Sequence, residues 1–181
     1  AYGYEFMKFQ RACFLGGLLR RVYGRAKAVV AISEFTRGKL IAFGVNADRI
    51  TVVLPGADPD ASVTQADIDA VRHKYVLDGS RVILSVGRLI PRKNHVALVR
   101  ALPKILERIP DTLLLIAGQG PCMWAVCQEA QRLGVRAQLV MPGKVEERDL
   151  AALYAACDVF ALPAGADTRG QVEGFGLVFS E

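Results

Sequence analysis

The feature that most restricts the fold of this chain is a series of short, uninterrupted apolar segments separated by stretches of helical periodicity. Val82-Ile-Leu-Ser-Val86, Thr112-Leu-Leu-Leu-Ile-Ala117, Ala137 to Met141 and Val159-Phe-Ala-Leu162 are apolar without alternation, as expected of parallel strands covered on both faces. Between them, His95 to Arg108, the stretch from Gly118-Gln-Gly120-Pro121 to Leu133, and Glu147 to Ala156 read as helices, with Pro110-Asp111 and Gly134 as turns. Repeated strand-helix-strand units predict an α/β domain with a parallel sheet. Ligands of such sheets bind beyond the carboxyl ends of the strands.

A shorter copy of this grammar comes first. Ala28-Val-Val-Ala-Ile-Ser33 reads as a strand whose last residue caps a helix from Glu34 to Phe43, stopped by Gly44, and Ile50-Thr-Val-Val-Leu54 is a second strand closed by Pro55-Gly56. Residues 57–78 are more polar, with Asp58, Pro59, Asp60 and a short helical piece around Ile68 to Tyr75. The expected organisation is therefore a domain portion at 1–56, a linker at 57–78 and a second domain at 79–181.

A 52% hydrophobic share over 181 residues is ample for a core, and no apolar run approaches the roughly 20 residues of a membrane span. The chain opens on Ala1 without a signal-like layout and closes within a helix-like pattern, so it reads as an internal segment of a longer protein. Cys13, Cys122, Cys127 and Cys157 have neither zinc-ribbon nor CxxC spacing, which predicts reduced thiols in a cytoplasmic protein and no metal site. The net charge of +5 is concentrated near the start, where Lys8, Arg11, Arg20, Arg21, Arg25 and Lys27 alternate with Phe6, Phe9, Leu15, Leu18, Leu19 and Val22. Two readings stay open there: an ordinary surface helix with snorkelling arginines, or peripheral contact with the inner face of an anionic membrane. No stacking platform or recognition motif accompanies the charge, and nucleic acid is not an expected partner.

Three loops at predicted strand ends carry chemistry. After Val86 come Gly87-Arg88-Leu-Ile-Pro91-Arg92-Lys93-Asn94, where Arg88 and Lys93 bracket a turn at a helix start, an arrangement suited to a phosphate or diphosphate. After Ala117 comes the weaker Gly118-Gln-Gly120 signal. After Leu162 a long loop holds Asp167 and Arg169 and leads to Glu173-Gly-Phe-Gly-Leu-Val-Phe-Ser-Glu181. If a helix begins at those glycines, Glu173 and Glu181 lie about 10 Å apart along its axis, long enough to grip both ends of one extended ligand. The alternative is an amphipathic helix start with Glu173 near the dipole's positive end. Taken together, the loops suit a nucleoside diphosphate-sugar: cations for the diphosphate, one carboxylate for sugar hydroxyls and one for ribose. His73 and His95, the two histidines, fit exposed helix positions without a catalytic role.

The ordered motifs AISEFTR, VVLPGAD, VGRLIPRKN, AGQGP, AACDVFALPA and EGFGLVFSE resemble those of family 4 retaining glycosyltransferases, closest in style to bacterial phosphatidylinositol mannosyltransferase-like members. The resemblance covers nearly the whole chain. It implies the GT-B fold of two Rossmann-like α/β domains with parallel sheets, both incomplete here. It implies Arg88 and Lys93 on the donor diphosphate, Glu173 facing the transferred sugar and Glu181 on the ribose, with Gly87, Gly174, Phe175, Gly176 and Leu177 lining the donor. The implied reaction is metal-independent transfer of a hexose from a GDP- or UDP-linked donor to a saccharide or lipid-linked acceptor, with no cofactor. The grouping of Asp167, Arg169 and Glu173 is similar to the mannosyltransferase-like branch. One departure stands out: where relatives carry His-Gly-x-Glu, this chain reads Tyr2-Gly3-Tyr4-Glu5, so no catalytic histidine is carried over. A nucleotide-sugar epimerase of the same fold and a non-catalytic nucleotide-sugar-binding module remain the alternatives.

Overall fold

The computed structural model describes residues 13–54 and 62–165, which fall into two compact units. Among the described residues, the first holds helix α1 (Cys13–Arg25), strand β1 (Val29–Ala31), helix α2 (Glu34–Ala42) and strand β2 (Ile50–Val52). The two strands pair in parallel, Val29 opposite Ile50 and Ala31 opposite Val52. As expected, Ser33 caps α2, its hydroxyl oxygen accepting from the Thr36 N–H at 3.1 Å, which satisfies one of the donors a helix start leaves open. Val29, Ala31, Leu40, Phe43, Val45 and Ile50 make the core of this unit, and Leu19 and Tyr23 of α1 and Ala26 after it pack on that core.

The basic residues of α1 are not all alike. The Arg20 guanidinium lies 5.2 Å from the Phe43 ring centroid, so its charge serves packing. Arg21, Arg25 and Lys27 are exposed, beside Leu18 and Val22, which are 51% and 57% exposed. Among the described residues no helix is long and apolar enough to cross a membrane.

The second unit contains helix α3 (Gln65–Lys74), strand β3 (Arg81–Val86), helix α4 (His95–Leu106), strand β4 (Thr112–Ala117), helix α5 (Met123–Arg132), strand β5 (Leu139–Gly143), helix α6 (Glu147–Ala156) and strand β6 (Val159–Phe160). All strand pairs are parallel, in the order β5-β4-β3-β6. Side chains alternate across the sheet and explain why the strands show no polar face. Val82, Leu84, Leu115 and Ala117 pack with Val71 of α3 and Ala152, Leu153 and Ala156 of α6, whereas Leu114, Ile116 and Leu139 pack with Val99 and Leu102 of α4 and Val126 and Ala130 of α5. The buried strand residues of the two clusters thus meet apolar partners on both faces of the sheet.

The later part of the segment expected as a linker is built into this unit. Thr64 and Asp67 form a capping box that starts α3, and Val71 and Leu77 are buried in the core of one sheet face. The polar composition that suggests a linker belongs to the outer face of an amphipathic helix. Behind it, the Arg72 guanidinium donates to the carbonyls of Ala156 (2.8 Å), Leu77 (2.8 Å) and Ser80 (2.7 Å), joining the end of α6 to the turn before β3. Lys74 and Tyr75 reach Asp149 of α6 at 2.6 and 3.1 Å.

Because one guanidinium satisfies three part-buried carbonyls, Arg72→Met should destabilise the chain by roughly 3 kcal/mol. Urea unfolding should show a lower midpoint with an unchanged slope. A loss below about 0.5 kcal/mol would mean that water replaces the guanidinium at all three carbonyls.

Candidate functional site

The loops leaving β3, β4 and β5 interlock through their backbones. The Gly87 N–H donates to the Ala117 carbonyl (3.0 Å), Leu89 to Gln119 (2.9 Å), Cys122 to Leu89 (2.9 Å) and Gly118 to Gly143 (2.7 Å). Such close approach requires the glycines. A Cβ on Gly118, whose φ is +148°, would overlap the Gly87 carbonyl oxygen, and one on Gly120 would overlap the Leu89 carbonyl. The Gly-x-Gly signal, weak as a motif, is a steric requirement of this loop pair.

The interlocked loops enclose a cleft of roughly 410 Å³ at the carboxyl ends of the strands. Val86, Gly87 and Arg88 contribute from the β3 side, Ala117, Gly118 and Gln119 from β4, and Lys144, Val145 and Leu150 from the loop and helix after β5. Lys93 stands behind Gly87. Its Cε, Cδ and Nζ lie 3.7, 3.9 and 4.0 Å from where a Cβ on Gly87 would stand, and the residue is only 8% exposed. It ends the 3₁₀ turn Pro91–Lys93, after which Asn94 in the left-handed conformation (φ 53°) redirects the chain into α4. The carbonyl of Arg92 in this turn accepts from the Gly165 N–H at 2.9 Å, which ties the segment after β6 to the cationic loop.

Of the residues expected to act on a ligand, Gly87 and Arg88 line the cleft and Lys93 packs beside Gly87. Glu173, Gly174, Phe175, Gly176, Leu177 and Glu181 lie outside the described residues, as does Tyr2. Four lining residues were not singled out in the sequence: Gln119, Lys144, Val145 and Leu150. Lys144 carried a readable signal, since it follows a strand and a glycine at a predicted ligand edge. Val145 and Leu150 carried none, because an apolar side chain at a cleft looks in sequence like one in a core. Among the described residues no cluster of His, Cys, Asp or Glu is placed to hold a metal ion, and Cys122, Cys127 and Cys157 are free thiols.

His95 departs from expectation. Instead of an exposed helix position it is 2% exposed, with no hydrogen-bond partner at either ring nitrogen. As the first residue of α4 it stands one turn before Val99, and i, i+4 spacing puts it on the helix face that packs on the sheet. Burial, reinforced by the positive charge of Lys93, pushes its pKa down to about 4. His73, in contrast, is exposed beside Asp78 at 3.5 Å.

Two family models match successive parts of the chain. Residues 67–181, more than half of the chain, match the family model described as Glycosyl transferases group 1, and residues 6–61 match that of Glycosyltransferase Family 4. A GDP-mannose-dependent alpha-(1-6)-phosphatidylinositol monomannoside mannosyltransferase of Mycolicibacterium smegmatis is 37% identical over 166 residues, 90% of this chain and 43% of the relative. A phosphatidyl-myo-inositol mannosyltransferase of Mycobacterium tuberculosis is 33% identical over 91% of this chain and 40% of its own length. The chain therefore spans less than half the length of these curated relatives. Among solved structures, HepE from Anabaena in complex with UDP and glucose superposes with a TM-score of 0.78 at 24% identity, over 90% of this chain and 44% of that one. WaaG, a glycosyltransferase of lipopolysaccharide biosynthesis, gives 0.71 at 21% identity, over 90% and 46%. These likenesses show the α/β fold with parallel sheets to be of the GT-B class.

The buried imidazole makes stability depend on pH. His95 is neutral in the folded chain down to pH about 4, whereas in the unfolded chain it binds a proton near the ordinary value of about 6.5. Between those limits the unfolded state holds more protons, so stability falls as pH falls. Thermal unfolding from pH 7 to pH 4 should show the parent losing stability relative to His95→Leu. Parallel pH profiles for the two proteins would place the imidazole in water.

Proposed function

The chain belongs to the family 4, or group 1, glycosyltransferases, and from that membership we propose that the full protein transfers a hexose from a nucleoside diphosphate-sugar to an acceptor hydroxyl with retention of configuration. The observation that carries this reading is the juxtaposition of Arg88 at the rim of the strand-end cleft with the buried Lys93 directly behind Gly87. The difficult part of such a transfer is departure of the diphosphate, which leaves with increasing negative charge. Preorganised cations stabilise that charge most where water is scarce. Lys93 meets this condition because it is buried beside Gly87 before any ligand arrives. Arg88, exposed at the cleft, presents a planar fork that suits paired phosphate oxygens.

Glu173 is assigned to orienting the transferred sugar and Glu181 to the ribose hydroxyls, with Gly174, Phe175, Gly176 and Leu177 assigned to contact with the donor. The leaving phosphate oxygen serves as acceptor for the proton of the incoming hydroxyl, so no separate strong base is required. The names of the relatives support mannose as the sugar, GDP as its carrier and a phosphatidylinositol-linked acceptor. For a lipid-linked acceptor, the exposed Arg21, Arg25 and Lys27 beside Leu18 and Val22 offer a basic, apolar surface for peripheral contact with an anionic membrane.

In the full-length enzyme, Arg88→Ala and Lys93→Ala should each lower turnover by about 10²-fold or more, measured as sugar transfer from GDP-mannose. Retained circular dichroism would separate this effect from misfolding. Near-parental turnover in both variants would remove the diphosphate assignment, and donor binding without any turnover by the parent would favour a binding module. For the membrane surface, the full-length protein should sediment with anionic vesicles and detach as salt rises. Equal recovery with neutral vesicles would leave α1 as an ordinary solvated helix.

A further inference from the structure

We propose that Lys144 selects the nucleobase of the donor, favouring guanine over uracil; the proposal rests on reading the cleft as a nucleoside diphosphate-sugar site. The sheet order supplies the distance. Arg88 and Lys93 follow β3 and Lys144 follows β5, with β4 between them, and two strand spacings amount to about 9 to 10 Å. That span matches the reach from a diphosphate across a ribose to the edge of its base.

The β5 end of the cleft has the chemistry of a base site. Val145 and Leu150 provide apolar walls beside the Gln119 amide and the Lys144 ammonium. The position is fixed by the backbone, since Gly118 donates to the Gly143 carbonyl at 2.7 Å. Gly143 adopts a φ of +80°, and the Gln119 amide nitrogen sits 3.4 Å from where its Cβ would stand. Apolar walls accept the flat faces of a heteroaromatic ring, while the polar groups address its edge.

An ammonium offers three donors and no acceptor. Guanine presents two adjacent acceptors, O6 and N7, on one edge, and a donor-only cation satisfies both. Uracil presents O4 between an N3–H and a C5–H, so an ammonium meets one acceptor there instead of two. Lys144 therefore discriminates by the donor and acceptor pattern of the base rather than by size. Gln119, with both donor and acceptor, is tolerant of either base and does not supply the discrimination.

The test is calorimetric titration of the full-length protein with GDP and with UDP, for the parent, Lys144→Met, Lys144→Arg and Arg88→Ala. The parent should bind GDP roughly tenfold more tightly than UDP, the scale of one charge-assisted hydrogen bond. Lys144→Met should lose that preference by weakening GDP while leaving UDP within about twofold, and Lys144→Arg should keep it. Arg88→Ala should weaken both nucleotides alike, since it acts on their shared diphosphate. Equal weakening of GDP and UDP in Lys144→Met would make Lys144 a diphosphate cation and overturn the proposal while the donor reading survives. No effect of Lys144→Met, or a parental preference for UDP, would overturn it as well. If the parent binds neither nucleotide, the donor reading fails and this proposal with it.

Discussion

The cleft of this chain depends on one point of interlock, Leu89. Its side chain is fully buried among Leu114, Ile116 and the helices of one sheet face. Its N–H donates to Gln119 and its carbonyl accepts from Cys122. One residue between the two cations of this loop is thus fastened both to the core and to the neighbouring loop. Arg88 and Lys93 flank that anchor in sequence, and neither needs a ligand to hold its backbone in place. Such preorganisation matters for a charged transition state, because groups already oriented cost no rearrangement at the moment of reaction.

The interlock exists only because two backbones come closer than any side chain permits. Gly118 and Gly120 supply that approach, and their position directly after β4 follows from the register, in which Val86 stands opposite Ala117. Parallel pairing ends both strands at the same level, so their loops emerge together and meet. A slip of one residue would send each strand's side chains to the opposite face and separate the loops. The two apolar clusters on either side of the sheet therefore act on the cleft indirectly, by holding the register.

Charge is distributed in the same economical manner. Arg72 and Arg20 serve packing, the first on three carbonyls and the second over an aromatic ring. Glu129 bridges Arg100 and Arg132 between α4 and α5, and Asp158 joins Arg81 and the Val82 N–H where β3 meets β6. Arg88 and Lys93 lie instead on the loop that follows β3. Fold alone does not assign chemistry; the functional reading draws on where these cations lie together with the family to which the chain belongs.

The strands, the Ser33 cap, the bounds of α6 and the strand edge at which the cleft lies were all legible in the amino-acid sequence, because each follows from local periodicity, capping chemistry or the rule for parallel sheets. Arg88 and Lys93 were legible for the same reason, being cations at a strand end. Tertiary structure decided what depends on contacts distant in sequence. It placed Lys93 behind Gly87, turned the Gly118-Gln-Gly120 motif into a steric necessity, buried His95, and drew Val71 and Leu77 of an apparent linker into the core. It also brought Lys144, Val145 and Leu150 to the cleft. Local pattern reports which face of an element is apolar, but only the packed sheet determines which residues that face meets.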